Sequence, residues 1–225
     1  VAVLIPNDES HIAALWEYAT SGQLQRDIAK LDKKMSITAG TFTKVRLNIE
    51  HWSKLAEIKY PKGLPQPYTD DSTQWLFHGH PCASVIWDEE TKAIAIVSLR
   101  QDETVLQVAV ARLLGYRWPA ELDEEMKLAP EMREVITKCK DFDSLVDDDG
   151  IVCIPAIRGE KPAADRLEAI LHAAYGDEWS ATIMNNLLKA VKSRDLNLWL
   201  RDKFFEQHSK LFQHRPFIWH VWDGL

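Results

Sequence analysis

The sequence predicts an α+β fold that is predominantly helical after residue 100, with short strands and one β-hairpin. Two apolar, β-rich runs within residues 84–99 are joined by the polar stretch DEETK, which is typical of a hairpin with about five residues in each strand. From Val105 onward, apolar residues recur at helical spacing in segments that end at Gly or begin near Pro. With 225 residues, 46% of them hydrophobic, the chain can bury the core of one large or two small domains.

The amino-terminal region is predicted to span residues 1–62 and to contain short helices around one irregular stretch. An amphipathic helix follows the capping residues of NDES, and the next helix has the sequence QLQRDIAKLDKKM. A further helix is predicted to begin after a cap at Asn48. Apolar residues recur at helical spacing on the first helix, namely Ile12, Leu15, Trp16 and Ala19. On the last helix, Ile49, Trp52, Leu55 and Ile58 are predicted to form the buried stripe.

Between these helices, the stretch SITAGTFTKVRLN changes from helical spacing to a pattern rich in Thr and Gly. This change predicts a loop that leads into a short strand. Because side chains alternate along a strand, Val45 and Leu47 should face the core while Lys44 and Arg46 lie together on the opposite side.

A linker is predicted over residues 63–83, because the stretch YPKGLPQPYTDDSTQWLFHGHP holds four Pro, two Gly and a pair of Asp. Residues 84–225 are then expected to form a mainly helical carboxyl-proximal domain that includes the hairpin. Short strands are also predicted at GIVCIP and FIWHV, and LNLWLRDKFFEQHSKLF is predicted to be helical. The apolar runs at both ends suggest a fragment of a larger chain, truncated at its end.

The composition argues against several classes of protein. No run of about 18 apolar residues occurs, so no membrane span is expected. The three cysteines, Cys82, Cys139 and Cys153, lack metal-site spacing and are expected to be buried in a protein of the reducing cytoplasm. The sequence HGH at 78–80 is predicted to be a polar turn rather than a metal site, and DDD at 147–149 a solvated turn.

No catalytic motif is present in the sequence. The patterns GxSxG, GxxxxGK[ST] and HExxH are absent. A glycine-rich loop after a strand, which would hold the adenosyl group of a methyl donor, is absent too, as is an Asn/Asp-Pro-Pro-aromatic tetrapeptide. The segment itself is therefore predicted to have no catalytic residue, no cofactor and no metal.

The charges are unevenly distributed along the chain. The formal net charge is −7, yet residues 24–62 carry nine Lys and Arg against four acidic residues. Residues 63–193 carry 13 basic and 23 acidic residues. This polarity favours a basic surface that could meet phosphate on one side, although solvated helix faces would give the same pattern.

Several stretches resemble a known family. The segment LWEYATSGQLQRDIAKLDKKMSITAGTFTKVRLNIEHW is similar to the end of a target-recognition domain in DNA methyltransferases and restriction specificity subunits. The segment LRDKFFEQHSKLFQHRPFIWHVWDGL resembles the carboxyl-proximal signature of the large adenine-specific DNA methyltransferases of phage-defence and restriction-modification systems, the PglX-like group. The stretches LQVAVARLLGYRWP and GIVCIPAIRGEKPAADRL also look like that group, so the resemblance covers nearly the whole chain.

The resemblance implies a function for the larger protein. That function is transfer of a methyl group from S-adenosylmethionine to N6 of adenine in double-stranded DNA. The present chain would supply DNA recognition and scaffold, with the methyl donor bound elsewhere. An alternative is a helical protein-interaction module that docks the methyltransferase to other defence-system subunits. The predicted DNA-binding residues are Lys33, Lys34, Thr41, Lys44 and Arg46.

Overall fold

The computed structural model describes residues 5–31, 38–74 and 77–221. It confirms a mostly helical α+β fold with one antiparallel two-stranded hairpin. The strands are β1 (Val85–Asp88) and β2 (Ala93–Ile96), each one residue shorter than expected. The residues form two compact units, of which the first comprises residues 1–65 and 88–93 and the second comprises residues 66–87 and 94–225.

The first unit is built from short helices. They are α1 (Ile12–Thr20), α2 (Gln23–Leu31), α3 (Ala39–Phe42) and α4 (Ile49–Lys59), with a 3₁₀ turn at Glu9–His11 before α1. Two of the predicted caps are present, because the Asp8 side chain accepts a hydrogen bond from the Ser10 N–H and Asn48 accepts one from His51.

The core of this unit lies between α1 and α4. The Tyr18 ring lies 5.1 Å from the Trp52 ring, measured between centroids, and Ala14 and Ala56 are buried beside them. The predicted stripe on α4 was wrong, because Leu55 and Ile58 are exposed. Helix α4 packs through its Trp52 and Ala56 side instead.

The second unit contains the longer helices. They are α5 (Thr104–Leu113), α6 (Pro119–Leu122), α7 (Pro130–Lys138), α8 (Ala163–Tyr175), α9 (Ala181–Ala190), α10 (Leu196–Asp202) and α11 (Phe204–Leu211). Pro130 stands at the start of α7 and Gly176 follows α8 with a φ of +56°, as the stop signals in the sequence predict. The sequence predicted continuous helix over α10 and α11, whereas the structure breaks it at Lys203, which has non-helical φ and ψ.

Helix α5 is the centre of the second unit, because each of its residues is buried. Helices α8, α9, α10 and α11 contribute to the same apolar cluster. A helix buried on every side has to satisfy any polar side chain from within the protein. The polar residues Gln107 and Arg112 therefore need partners in the core, and both have them.

Two predicted strands are absent from the described residues. Residues 151–155 and 217–221 carry no strand pairing in the structure. Apolar residues flanked by Pro and Gly predict a strand by composition, but no neighbouring backbone edge pairs with them here. Both segments lie as irregular chain against the cluster around α5, through Val152, Ile154 and Phe217.

The segment that was predicted as a linker contributes to the second unit. Residues 77–85 are buried, among them Phe77 and Cys82 in the α5 cluster, and Val85 in a smaller cluster with Met132. Cys82 and Cys139 are buried as predicted, and burial raises the pKa of each thiol to about 12, so both behave as small apolar side chains. Cys153 is half-buried. No helix within the described ranges is long and apolar enough to cross a membrane.

Candidate nucleic-acid interface

Lys44 and Arg46 lie on an extended segment of the first unit between α3 and α4. The Lys44 N–H donates to the carbonyl of Thr41 at 3.2 Å and the Val45 N–H donates to Phe42 at 3.2 Å, so the turn of α3 continues into this segment. The prediction of a short strand here was wrong, because residues 45–48 pair with no strand. The sequence alternation was right nevertheless, since Lys44 and Arg46 are exposed while Val45 and Leu47 are half-buried.

The two cations are not used in ion pairs within the described part of the chain. In the same unit, Lys30 pairs with Asp27 at 2.8 Å and Lys59 pairs with Glu17 at 3.0 Å. Neither Lys44 nor Arg46 has a carboxylate within 4 Å among the residues that the structure places. An anion could therefore approach both side chains without displacing an internal partner.

The threonines around α3 differ in what they offer. Thr41 is only 8% exposed, and its hydroxyl lies 3.2 Å from that of Thr38. Its position favours a structural role in the turn over contact with DNA. Thr43 is exposed next to Lys44 and donates its hydroxyl to the carbonyl of Gly40 at 3.1 Å, which leaves its oxygen available as an acceptor. Lys33 and Lys34 lie outside the described residues.

Behind the cations lies an apolar groove of about 410 Å³, which we name the α1 groove. One wall is helix α1, and the segment of Val45 and Leu47 forms part of the other wall. The groove is lined by Pro6, Ile12, Leu15, Trp16, Tyr18, Ala19, Leu24, Phe42, Val45 and Leu47. Of the apolar residues at helical spacing on α1, Trp16 is 52% exposed and Ile12 is also exposed.

The second unit holds a buried ionic network that sequence reasoning missed. Arg112 is fully buried and donates from Nη1 to both carboxylate oxygens of Glu121, at 2.6 and 2.7 Å. Its Nη2 donates to Asp143 at 3.1 Å, and its guanidinium carbon lies 5.0 Å from the centroid of the Phe142 ring. Glu121 also accepts from the Trp118 N–H at 2.9 Å. The signal in the sequence was an arginine inside the run VLQVAVARLL, in which Gln107 is the only other polar residue.

Gly79 of the HGH sequence lies against this network. A Cβ atom at this position would lie 2.6 Å from Oε1 of Glu121 and 3.1 Å from Nη1 of Arg112. Gly79 also has a φ of +82°, a backbone conformation that residues other than glycine rarely adopt. Glycine is therefore required at position 79 both by conformation and by space.

The two histidines beside Gly79 are buried, so the predicted polar turn is not at the surface. The Nδ1 atom of His80 accepts from the N–H groups of Ala83 at 2.9 Å and Cys82 at 3.2 Å. The Nδ1 atom of His78 accepts from the His80 N–H at 3.3 Å. The pKa of His78 is lowered to about 4 and that of His80 to about 3. Burial is the largest cause in both cases, and nearby positive charges lower the two pKa values further. Both rings are therefore neutral structural acceptors at neutral pH.

A cluster of possible metal ligands occurs at Asp147, Asp148 and Asp149, among the residues that could be searched. Asp147 already pairs with Arg166 at 2.5 Å, and it accepts from the Ile151 N–H, as does Asp149. The carboxylates thus order a turn. Burial alone would raise the pKa of Asp147, but the pair with Arg166 and the hydrogen bonds of the turn lower it below its ordinary value. Exposed acidic turns of this kind are common without a bound ion.

Comparison with known proteins gave no relative. Protein-family models, curated proteins and solved structures were each searched, and none matched the chain.

Proposed function

We propose that this chain is the DNA-recognition and scaffold segment of a cytoplasmic adenine-specific DNA methyltransferase used in phage defence or restriction-modification. The observation that supports the DNA contact is the pair of exposed cations, Lys44 and Arg46, without carboxylate partners among the described residues. The resemblance of the sequence to the PglX-like group supports the reaction class.

The arrangement suits phosphate more than base recognition. Two cations separated by one residue on an extended segment can neutralise neighbouring backbone phosphates, which fixes position without reading sequence. Thr43 offers one additional hydroxyl beside Lys44. The acidic excess outside residues 24–62 would repel DNA, so the contact is confined to this basic part of the chain.

We expect S-adenosylmethionine to bind outside this segment. The sheet has only the strands β1 and β2 in the described residues, and the sequence that follows each strand, EETK and VSLRQ, contains no glycine. Methyl-donor sites of the nucleotide-binding type need a glycine-rich turn between a strand and a helix. S-adenosylmethionine would therefore bind to another part of the methyltransferase.

The first test of this proposal is the double substitution Lys44→Ala and Arg46→Ala. The two side chains are exposed, so the fold should be retained with a stability change of about 0.5 kcal/mol or less. Binding to a fluorescein-labelled DNA duplex should weaken at low salt. The slope of log affinity against log salt concentration should flatten by roughly 1 to 2, since each phosphate that the protein no longer neutralises changes the slope by about 0.9.

A matched control is the double substitution Arg201→Ala and Lys210→Ala in the second unit. It removes the same net charge, but both residues pair with carboxylates, Asp202 and Glu206. The salt slope of this control should equal that of the unsubstituted chain. Equal slopes for the Lys44 and Arg46 variant and the unsubstituted chain would exclude this segment from the DNA interface.

A second expected result is that the chain alone does not methylate DNA. Incubation with S-adenosylmethionine and duplex DNA should yield no N6-methyladenine, because the sequence contains neither a glycine-rich methyl-donor loop after a strand nor the adenine-binding tetrapeptide. Mass spectrometry of the digested DNA measures the product directly. Detection of N6-methyladenine above the level of a no-protein control would contradict the scaffold role.

The alternative function, docking to other defence-system subunits, predicts a different response to salt. An apolar contact surface weakens little as ionic strength rises, whereas phosphate binding falls steeply. Measurement of DNA affinity between about 50 and 200 mM salt, a range over which binding through a few phosphates should weaken about 10-fold, separates the two functions.

A further inference from the structure

After helix α11 the chain reverses and returns along this helix as an irregular segment, residues 215–221, which we name the strap. The ring of Phe217 lies 4.7 Å from that of His208, measured between centroids, and the ring of His220 lies 6.4 Å from that of Phe205. The strap therefore runs antiparallel to α11 and covers the side of the helix that carries His208.

The turn that leads into the strap is strained. Gln213 and His214 both have a φ of +57°, a left-handed conformation that residues other than glycine rarely adopt. The His214 N–H donates to the carbonyl of Ser209, which fixes the reversal at the end of α11. Two such residues in succession persist only where surrounding contacts hold them, and here those contacts are the ones that the strap makes.

His208 is fully buried among aromatic rings. The centroids of Phe204, Phe212 and Phe217 lie 5.5, 4.8 and 4.7 Å from its own. The Gln107 amide nitrogen donates to the carbonyl of Phe204 at 3.3 Å, so its oxygen faces Nδ1 of His208 at 3.0 Å. The proton of the neutral ring is thereby assigned to Nδ1, which donates to this oxygen. The Nε2 atom has no hydrogen-bond partner among the described residues.

A second proton on this ring would create a buried cation without an acceptor at Nε2. The titratable side chains on α5, on α11, on the turn and on the strap are Arg112, Glu206, Lys210, His214, Arg215 and His220. The two carboxylate pairs in this region, Arg112 with Glu121 and Glu206 with Lys210, are already formed. Burial alone lowers the pKa of His208 to about 4. A proton can therefore be accommodated only if water reaches the ring.

We propose that the strap closes over His208 and opens when Nε2 of this ring gains a proton, while the helices of the second unit stay folded. Among the elements that enclose the ring, the strap is the one that is not helical, so it can move without breaking a helix. In the open position water accepts from the Nε2 proton, and the strained turn at Gln213 and His214 relaxes. This device goes beyond the proposed DNA contact and does not depend on it, because all of its residues lie in the second unit.

The test measures the opening of the strap through a thiol placed beneath it. In a Cys153→Ser chain, Ile218→Cys introduces a thiol where the side chain is 7% exposed, and Val221→Cys introduces one where it is 88% exposed. Modification by 4,4′-dithiodipyridine is followed for both, and the ratio of the two rates gives the fraction of time that the strap is open. This ratio should be about 10-fold higher at pH 5.5 than at pH 7.5, since the opened ring, with its ordinary pKa of 6.5, binds a proton that the closed ring excludes.

Two histidine variants identify the group that titrates. His208→Gln replaces the ring with an amide that can still donate to Gln107, so the ratio of rates should be the same at both pH values. The matched control is His80→Asn, which replaces another buried histidine of this unit, one whose ring lies against Phe142. It should retain the rise of about 10-fold.

Two further measurements separate strap opening from unfolding of the whole unit. Cys139 is buried outside the strap and reacts only when the unit unfolds, so peptide mass spectrometry should find it unmodified while the thiol from Ile218→Cys reacts. Phe217→Ala, combined with Ile218→Cys, removes the ring that covers His208. It should raise the ratio at pH 7.5 and reduce its dependence on pH, because the histidine is then solvated in both positions of the strap.

The outcomes decide as follows. A rise of about 10-fold that His208→Gln abolishes and His80→Asn retains, with Cys139 unmodified, supports the strap. The proposal is overturned by an unchanged ratio between pH 7.5 and pH 5.5, or by a rise that persists in His208→Gln. Modification of Cys139 at the same rate as the introduced thiol would assign the exposure to global unfolding and would also overturn it. If His208→Gln does not fold, a pH dependence of undiminished size in Phe217→Ala overturns the proposal.

Discussion

Replacement of Glu121 by Ala should destabilise the second unit by about 3–5 kcal/mol, the usual consequence of removing one partner from a buried ion pair. The variant removes both acceptors of the Arg112 Nη1 group and the acceptor of the Trp118 N–H. Arg112 is fully buried, so water cannot replace the missing carboxylate. Asp143 remains as a partner of Nη2, but its side chain is 46% exposed and it also pairs with Arg117 at 3.0 Å.

The measurement is the denaturant midpoint of unfolding, followed by fluorescence and circular dichroism. A matched control is Glu206→Ala, which removes the exposed partner of Lys210 and should leave the midpoint unchanged. Replacing both members of the buried pair, Arg112→Met with Glu121→Met, should recover part of the stability because no charge is then left buried without a partner. A midpoint for Glu121→Ala equal to that of Glu206→Ala would show that Arg112 is not held by this pair.

Gly79→Ala probes the same network from its other side. The added methyl group would meet the Glu121 carboxylate at a separation of 2.6 Å, and the positive φ would add backbone strain. In combination with Glu121→Ala, the clash with the carboxylate disappears, while the closer approach to Arg112 Nη1 and the backbone strain remain. The double variant should therefore be destabilised by less than the sum of the two single variants, measured by the same denaturant midpoints.

The helices of the second unit could be predicted because periodicity and stop signals agreed. Helices α7 and α8 begin or end at Pro130 and Gly176, where a missing N–H or a positive φ fixes the boundary. The partners of Arg112 could not be predicted, because Glu121 and Asp143 lie 9 and 31 residues away and become neighbours only through packing. The burial of HGH follows from the same packing.

The candidate site was predicted less completely. Alternation along the sequence placed Lys44 and Arg46 at the surface correctly, since it requires only an extended backbone. Helical spacing grouped Ile12, Leu15 and Trp16 on one apolar face of α1, and this face lies in the open α1 groove. Periodicity indicates that a face is apolar but not whether another element covers it. Helix α1 packs against α4 through Tyr18 rather than through the face of Ile12 and Trp16.

The second unit is expected to lose stability steeply as the pH falls below about 6, because three buried histidines are neutral in the fold. Burial lowers the pKa of His78 to about 4, of His80 to about 3 and of His208 to about 4, against an ordinary value of 6.5. His208 is fully buried and lies 3.0 Å, through Nδ1, from the side-chain oxygen of Gln107.

The direction follows from proton binding in the two states. Below pH 6.5 the unfolded chain binds protons on these rings, whereas the folded chain binds none until the pH approaches 3–4. Their full contribution is thus present above pH 6.5 and is lost as the pH falls. Each ring lowers the free energy of unfolding by about 1.4 kcal/mol per pH unit, so the three together lower it by about 4 kcal/mol per unit. Over the roughly 2.5 units from pH 6.5 to pH 4 the loss approaches about 10 kcal/mol, so a domain with about 5–10 kcal/mol of stability should unfold before pH 4.

His80→Asn tests this origin of the acid sensitivity. The Asn side-chain oxygen can accept from the N–H groups of Cys82 and Ala83 in place of Nδ1, but it does not titrate in this range. The slope of unfolding free energy against pH, measured between pH 6 and pH 4.5, should therefore fall by about 1.4 kcal/mol per unit. His80→Ala should lower the slope equally but also destabilise the chain at neutral pH, because both N–H groups lose their acceptor. If His80→Asn retained the full slope, protonation of this ring would not drive acid unfolding, and the destabilisation would have to arise at His78, at His208 or at the carboxylates of the ion pairs.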